Sequence, residues 1–186
     1  MKHGIYAKYK NVMLRPIMLD DIEYLRCWRN DPENAKYLRP IGTITPEMQL
    51  SWYENDLNDT NSYTFGIVET EVLKSLVGSI ALYNFKEKTC EQGRSILGDK
   101  RARGVTLSAF ALVHHIAYSL FGIEKIVAET NKNNISSIML CRKLGFEVCG
   151  EHHEYNAEHW DYEQDADMFY KANHEVKNIQ IYTDWH

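Results

Sequence analysis

A mixed α/β fold is predicted: a mostly antiparallel sheet that contains one parallel pair and is flanked by helices. Three observations carry this expectation. First, Tyr63 to Glu69, Leu73 to Tyr83 and Cys90 to Leu97 read as strands with no helix between them, which makes an antiparallel meander. Second, a strand–helix–strand unit follows, with a helix over Thr106 to Phe121 and a short apolar run, Ile126-Val127-Ala128. A helical crossover of this kind adds a parallel strand. Third, a further helix near Asn134 to Leu144 leads into a tail, Val148 to Tyr170, that gives two more strands around the polar turn Glu154 to Glu163.

The remaining elements follow in order. Val12 to Pro16 is a first strand ended by proline. Asp20-Asp21 opens an amphipathic helix with Ile22, Leu25, Cys27 and Trp28, where acidic residues suit the positive end of the helix dipole. Asp31-Pro32 ends it. Pro46 starts another helix, with Met48, Leu50, Trp52 and Tyr53. Gly78 interrupts its strand and marks a bulge or a close approach. The Thr106 helix is apolar nearly all round, with a narrow polar stripe at Ser108, His115 and Ser119, so it is largely buried. The following helix is capped at Asn134 or Ser136 and stops at Gly145, with Phe146 after it. From Tyr170 onward the chain is polar and expected to fray.

The 186 residues fit one domain, 1–186, with a core over about 11–170. The formal net charge of -5 argues against a nucleic-acid binder, which sets many cations against phosphates. It is compatible with a cationic substrate. No apolar run is long enough for a membrane span and none resembles a signal peptide. Cys27, Cys90, Cys141 and Cys149 are scattered without C-x-x-C spacing, as expected of a reduced, cytoplasmic protein. Adjacent histidines, such as His114-His115 on a helix, point about 100° apart, and no Cys or His spacing matches a zinc site. No metal is expected. Whether the chain is a monomer or a homodimer is left open.

The most informative stretch is the loop Lys100-Arg101-Ala102-Arg103-Gly104, followed by Val105, Thr106 and the apolar helix. The first N–H groups of a helix lack intrahelical partners and carry the positive end of its dipole. With three cations and a glycine beside them, they form an anion site suited to a pyrophosphate. A solvated basic turn is the alternative reading.

This stretch resembles the Gcn5-related N-acetyltransferase family. The family's acetyl-CoA loop, Arg/Gln-x-x-Gly-x-Gly/Ala, is matched from Arg101 to Thr106, with Thr106 a departure; a register starting at Arg103 is the alternative. The later motif, Asn-x-x-Ser followed by Leu-Gly-Phe, is matched by Asn134 to Ser137 and Leu144-Gly145-Phe146. Leu14-Arg15-Pro16, Trp28-Arg29-Asn30 and Gly78-Ser79-Ile80 look like its Rim-type branch, which includes ribosomal-protein-alanine, spermidine and amino-sugar acetyltransferases.

The resemblance implies an enzyme that moves the acetyl group of acetyl-CoA to the primary amine of a small molecule, a nucleotide-linked amino sugar first, with a polyamine or a protein N-terminus as alternatives. A non-catalytic acyl-CoA-binding regulator is the remaining reading. The parallel pair should splay, so that Ile96, Leu97 and Gly98 meet the pantetheine arm and the thioester carbonyl. Arg101, Ala102, Arg103, Gly104, Val105 and Thr106 should hold the pyrophosphate, with Asn134 and Ser137 nearby. Glu129 is the expected base. Cys141 stands where the family has an acidic tyrosine, and packing is its plainer role. Arg29, Asn30, Tyr83, His152 and Trp160 are acceptor-side candidates, joined on the last hairpin by Glu154, Tyr155 and Tyr162.

Overall fold

The computed structural model describes residues 3–102 and 104–184. Its strands form one nine-stranded sheet in the order β7-β8-β6-β5-β4-β3-β2-β1-β9. They are β1 (Tyr6–Tyr9), β2 (Val12–Pro16), β3 (Ser62–Glu69), β4 (Ser75–Lys86), β5 (Thr89–Leu97), β6 (Lys125–Asn131), β7 (Glu147–Glu154), β8 (Ala157–Asp165) and β9 (Ile181–Tyr182). The helices are α1 (Ile22–Asn30), α2 (Pro32–Ala35), α3 (Pro46–Asn58), α4 (Val105–Ser119), α5 (Ile135–Leu144) and α6 (Ala166–Ala172). The pairs β3–β4 and β4–β5 are antiparallel, and β5–β6 is parallel.

Helix α4 is the centre of the core. Val105, Ala109, Leu112, Val113, Ile116 and Ala117 are all fully buried, and the helix packs on β1, β2 and β4. A buried aliphatic side chain of this size stabilises the fold by about 1.5–3 kcal/mol. A smaller cluster of Ile17, Leu25 and Tyr53, with Trp28 and Trp52 against it, holds α1 and α3. Below it, Arg15 and Asp21 make a buried two-pronged ion pair, with Nη1–Oδ2 at 2.6 Å and Nη2–Oδ1 at 2.9 Å. Asp21 therefore anchors the start of α1 to β2 and does more than favour the dipole.

Two expectations are corrected. The chain does not fray from Tyr170: α6 runs to Ala172, a 3-10 turn covers His174–Val176, and β9 pairs with β1. The two strands expected to fill the tail to Tyr170 end at Asp165, where the Asp165 carboxylate accepts from Met168 N–H and caps α6. The polar stripe on α4 is covered and not solvated at two of its three positions, since Ser108 and His115 are buried. Nε2 of His115 lies 2.9 Å from the Ile179 carbonyl, so it donates there, and Nδ1 accepts from the Tyr170 hydroxyl at 2.9 Å. The polar stripe and the polar tail thus satisfy one another.

Candidate active site

The site lies where β5 and β6 part. They pair at three positions only, Thr89 with Lys125, Cys90 with Ile126 and Glu91 with Val127. Beyond these, β5 pairs with β4 alone and β6 with β8. A bulge helps the divergence: Ser79 opposes Ile96 while Ala81 opposes Gly93, so β5 carries one extra residue there. Arg94, within that bulge, has a left-handed φ of 49°. Bulges bend a strand and increase its twist. Ile96 and Leu97 therefore present one backbone edge to β4 and the other to the opening.

At its end β5 turns into the basic loop. The N–H groups of Gly98 and Asp99 both donate to the Val77 carbonyl, at 2.9 and 3.2 Å. Asp99 in turn accepts from the Arg101 N–H at 3.0 Å and from its guanidinium at 2.6 Å. Arg101 holds the Asp99 carboxyl below its ordinary range. Ala102 is buried. Gly104 is the N-cap of α4 with φ 75°, which glycine adopts without strain, and no side chain caps the helix. A Cβ on Gly104 would meet nothing within 4 Å. The fifteen-residue helix thus starts with no side-chain cap on its first N–H groups, an arrangement that suits an anion.

On the other wall, Asn134 caps α5 by accepting from Ser137 N–H at 3.2 Å, and the Ser137 hydroxyl lies 2.5 Å from that of Thr130 on β6. These bonds fix the β6–α5 loop. Gly145 closes α5 in the left-handed conformation, with φ 89°.

The register of the last three strands decides which side chains face the opening. Glu129 on β6 opposes Asp161 on β8, which opposes Gly150 on β7. Val148 opposes Tyr162, so Cys149 is an extra residue on β7. If Cys149 were paired with Asp161 instead of bulging, His152 would pair with Glu158 and point to the other side of the sheet, because a one-residue slip inverts every later side chain. With the bulge, His152 pairs with His159 and shares a face with Asp161 and Glu129. The His152 Nδ1 atom lies 2.7 Å from Asp161 Oδ1, and its Nε2 lies 3.3 Å from Glu129 Oε2. The ring stacks on His159 with centroids 5.1 Å apart. Ligating atoms of Glu129, His152 and Glu154 lie within 4.8 Å of one another.

Residues 11–147 match the acetyltransferase (GNAT) domain family, which is well over half of the chain. The chain belongs to the GNAT acetyltransferase family. It is an acyltransferase of the kind that uses acetyl-CoA as co-substrate. Spermidine N(1)-acetyltransferase of Escherichia coli K12 is 24% identical over 143 residues, covering 76% of this chain and 75% of that protein. The solved structure of a ligand-free nucleotide-linked sugar GNAT has a TM-score of 0.77 at 21% identity, covering 94% of this chain and 98% of the other. A spermidine N-acetyltransferase from Vibrio cholerae, in complex with CoA and spermine, has a TM-score of 0.73 at 13% identity, covering 86% and 98%.

Within this GNAT domain, the sequence-derived residues fall into distinct settings. Ile96, Leu97, Gly98, Arg101, Ala102, Gly104, Val105 and Thr106 lie along the end of β5, the loop and the start of α4; Arg103 lies outside the described residues. Glu129 and His152 meet at the mouth. Tyr83 stands beside them: its phenol lies over Gly93, where a Cβ would come within 2.7 Å, and Arg94 sits 4.1 Å from its ring centre. Burial, reinforced by the Glu91 carboxylate, pushes the phenol up to about 12, so it remains a neutral donor. Trp160 carries Lys132 on its ring face at 4.0 Å.

Arg29 and Asn30 bond to backbone in the chain that follows α1. Arg29 donates to the Arg39 carbonyl at 2.6 Å, and Asn30 makes two bonds of 2.9 Å to the Ile44 backbone. They staple the α2–α3 connection to α1. Through that connection Arg39 reaches Tyr155 on the β7–β8 turn, 5.4 Å from its ring centre. Cys141 is buried in the core cluster, and burial pushes its thiol up to about 11. Asp161 and Arg39 were not singled out in the sequence; each matters through a register or a loop path that local pattern does not carry.

A cavity of about 390 Å³ is lined by His115, Ser119, Lys177 and Ile179, away from the β5–β6 opening. We place the chemistry at the opening because the convergent polar groups are there. Among the described residues, no helix is long and apolar enough to cross a membrane.

Proposed function

We propose that this protein transfers the acetyl group of acetyl-CoA to the primary amine of a small molecule. The observation that carries the reading is the β5–β6 split, which runs from the uncapped start of α4 to the Glu129–His152 cluster. Backbone groups on the free edge of Ile96 and Leu97 polarise the thioester carbonyl, and charge developing on its oxygen is held by donors already in place. The pyrophosphate rests on the N–H groups from Gly104 to Thr106, with Arg101 on the same loop. Glu129 takes a proton from the bound ammonium, and the neutral amine attacks the carbonyl carbon. The carbon–sulfur bond breaks, and the CoA thiolate is protonated on leaving.

For the acceptor, a nucleotide-linked amino sugar is the first reading. Arg39, held over Tyr155 beside the carboxylates, gives an anionic tail a partner while the amine meets Glu129. A polyamine is the second, favoured by the carboxylates of Glu129, Glu154 and Asp161 on one small surface and by the net charge of -5. The test is CoA thiol release from acetyl-CoA against nucleotide-linked amino sugars, spermidine and peptides with free N-termini. Release with one class establishes the enzyme and its acceptor. Acetyl-CoA binding without release on any amine would favour the regulator reading, and absence of binding would overturn the reading of Arg101 to Thr106.

A further inference from the structure

We propose that His152 is the resting place of the proton that leaves the acceptor amine, with Asp161 as its positioning residue and Glu129 as the intermediate carrier. The inference rests on the acetyl-transfer reading and adds a residue and a proton path to it.

The argument begins with donors and acceptors. An ionised carboxylate only accepts, so the 2.7 Å contact between His152 Nδ1 and Asp161 requires the proton on Nδ1. That fixes the tautomer and leaves Nε2 of the neutral ring as an acceptor. Nε2 faces Glu129 Oε2 at 3.3 Å, a second acceptor. Two acceptors in contact repel unless a donor lies between them or one of them takes a proton. A primary ammonium has three N–H donors, and Glu129, His152 and Glu154 present three acceptor atoms within 4.8 Å of one another. The cluster is therefore complementary to a primary ammonium and to the proton that ammonium must lose.

The groups facing His152 come from each strand around it. They are Asp161 and His159 on β8, Glu129 on β6, and Glu154 on its own strand β7. Tyr83 is close enough to feel the Glu129 charge, and its phenol remains neutral. Beyond them, Arg39 lies over the Tyr155 ring on the β7–β8 turn.

The size of the proton-transfer gap decides between the two acceptors. An alkylammonium loses its proton near pH 10.4 and a carboxylate near 4.3, so the carboxylate is mismatched by roughly six units; an imidazole is mismatched by roughly four. Moving the proton on to imidazole makes the free amine about a hundredfold more accessible. The balance is closed: one N–H bond of the ammonium breaks, the proton passes by way of Glu129 Oε2 to His152 Nε2, and the amine's lone pair forms the new C–N bond. The amide's second proton follows the same path or meets the departing thiolate, and the imidazolium releases its proton to water.

The bulge at Cys149 ties this to the chain's local structure. With Cys149 left unpaired, His152 falls opposite His159 on the Glu129 face; a register that paired Cys149 with Asp161 would turn the imidazole away.

The experiment is the pH profile of kcat/KM with the preferred amine for the wild type and for His152→Gln, Asp161→Asn and Glu129→Gln. Acetyl-CoA binding and thermal midpoint are measured alongside to confirm that each variant is folded. The wild type should lose activity on acidification with a limb in the imidazole range. His152→Gln should lower kcat by about 10- to 100-fold, move that limb, and leave acetyl-CoA affinity unchanged. Asp161→Asn should shift the limb and lower kcat by a smaller factor, and His152→Gln with Glu129→Gln together should cost little more than the larger single loss. A folded His152→Gln variant with wild-type kcat and an unmoved limb would overturn the proposal while leaving acetyl transfer intact. No thiol release from the wild type with any amine would instead remove the reading beneath it.

Discussion

Gly98 lies flat against the indole of Trp28, so close that a Cβ at residue 98 would come within 1.9 Å of the ring. The contact joins α1 to the end of β5, just where the chain turns into the basic loop before α4. Gly98→Ala forces either the indole or the strand end to move. We expect a stability loss of about 1–3 kcal/mol, the usual cost of overpacking. The KM for acetyl-CoA should rise more than the KM for the amine. Urea denaturation and steady-state kinetics check both, and an unchanged acetyl-CoA KM would show that the loop is set without Trp28.

The Arg15–Asp21 pair makes a second prediction. Both groups are buried, and Asp21 also accepts from Met18 N–H at 2.8 Å. Asp21→Asn leaves a buried guanidinium without its counter-charge, which costs about 3–5 kcal/mol. A loss below about 1 kcal/mol in chemical denaturation would mean that water reaches Arg15 and replaces the carboxylate.

Much of this architecture was legible in the sequence because it depends on short-range rules. The caps at Asn134 and Gly145, the meander, the parallel crossover and the apolar α4 each follow from local spacing and residue type. Gly78 was read as a bulge or a close approach, and it is both: the β3–β4 register shifts next to it, and a Cβ there would come within 2.3 Å of the Ile96 carbonyl. The tail was not legible, since a polar segment is held by His115, whose partners Tyr170 and Ile179 lie far along the chain. The Asp161–His152–Glu129 chain depends on the register of β7 beyond its bulge, and no local composition distinguishes Cys149 as the residue left unpaired. Arg29 and Asn30 stood out as a motif, but whether they meet a ligand or hold a loop depends on where residues 39 and 44 return.

His114 predicts how stability depends on pH. It is fully buried against Phe146 and Phe169, and neither ring nitrogen finds a hydrogen-bond partner. The adjacent Gln164 side chain is engaged with Tyr118 and the Leu144 carbonyl, so it offsets burial only slightly. Burial lowers the folded-state pKa from 6.5 to about 3. The unfolded chain therefore takes up a proton as pH falls through 6.5, and the folded protein does not until about 3. Stability from this residue is full above that window and declines through it, by about 1.4 kcal/mol per pH unit. His114→Leu should flatten the fall in denaturation free energy between pH 6.5 and 5, and a slope equal to that of the wild type would assign the fall to other groups.

Cys141 gives the sharpest division between packing and chemistry. It is 7% exposed, on the buried side of α5 with Leu144 and Phe146 in the same cluster. With its thiol raised to about 11 by burial, it keeps its proton at neutral pH but is a weaker acid than a free thiol, ordinarily near 8.5. Passing a proton to a CoA thiolate would run uphill by roughly two units, so water or the amine itself is the better source. Cys141→Ala should therefore lower stability by about 1 kcal/mol through the small cavity it leaves, and change kcat by less than about threefold. Cys141→Ser, which keeps the volume but buries a hydroxyl, should be at least as destabilising as alanine. A tenfold or larger fall in kcat for a folded Cys141→Ala variant, absent when the acceptor is a weakly basic amine that delivers its own proton readily, would assign the thiol as the acid.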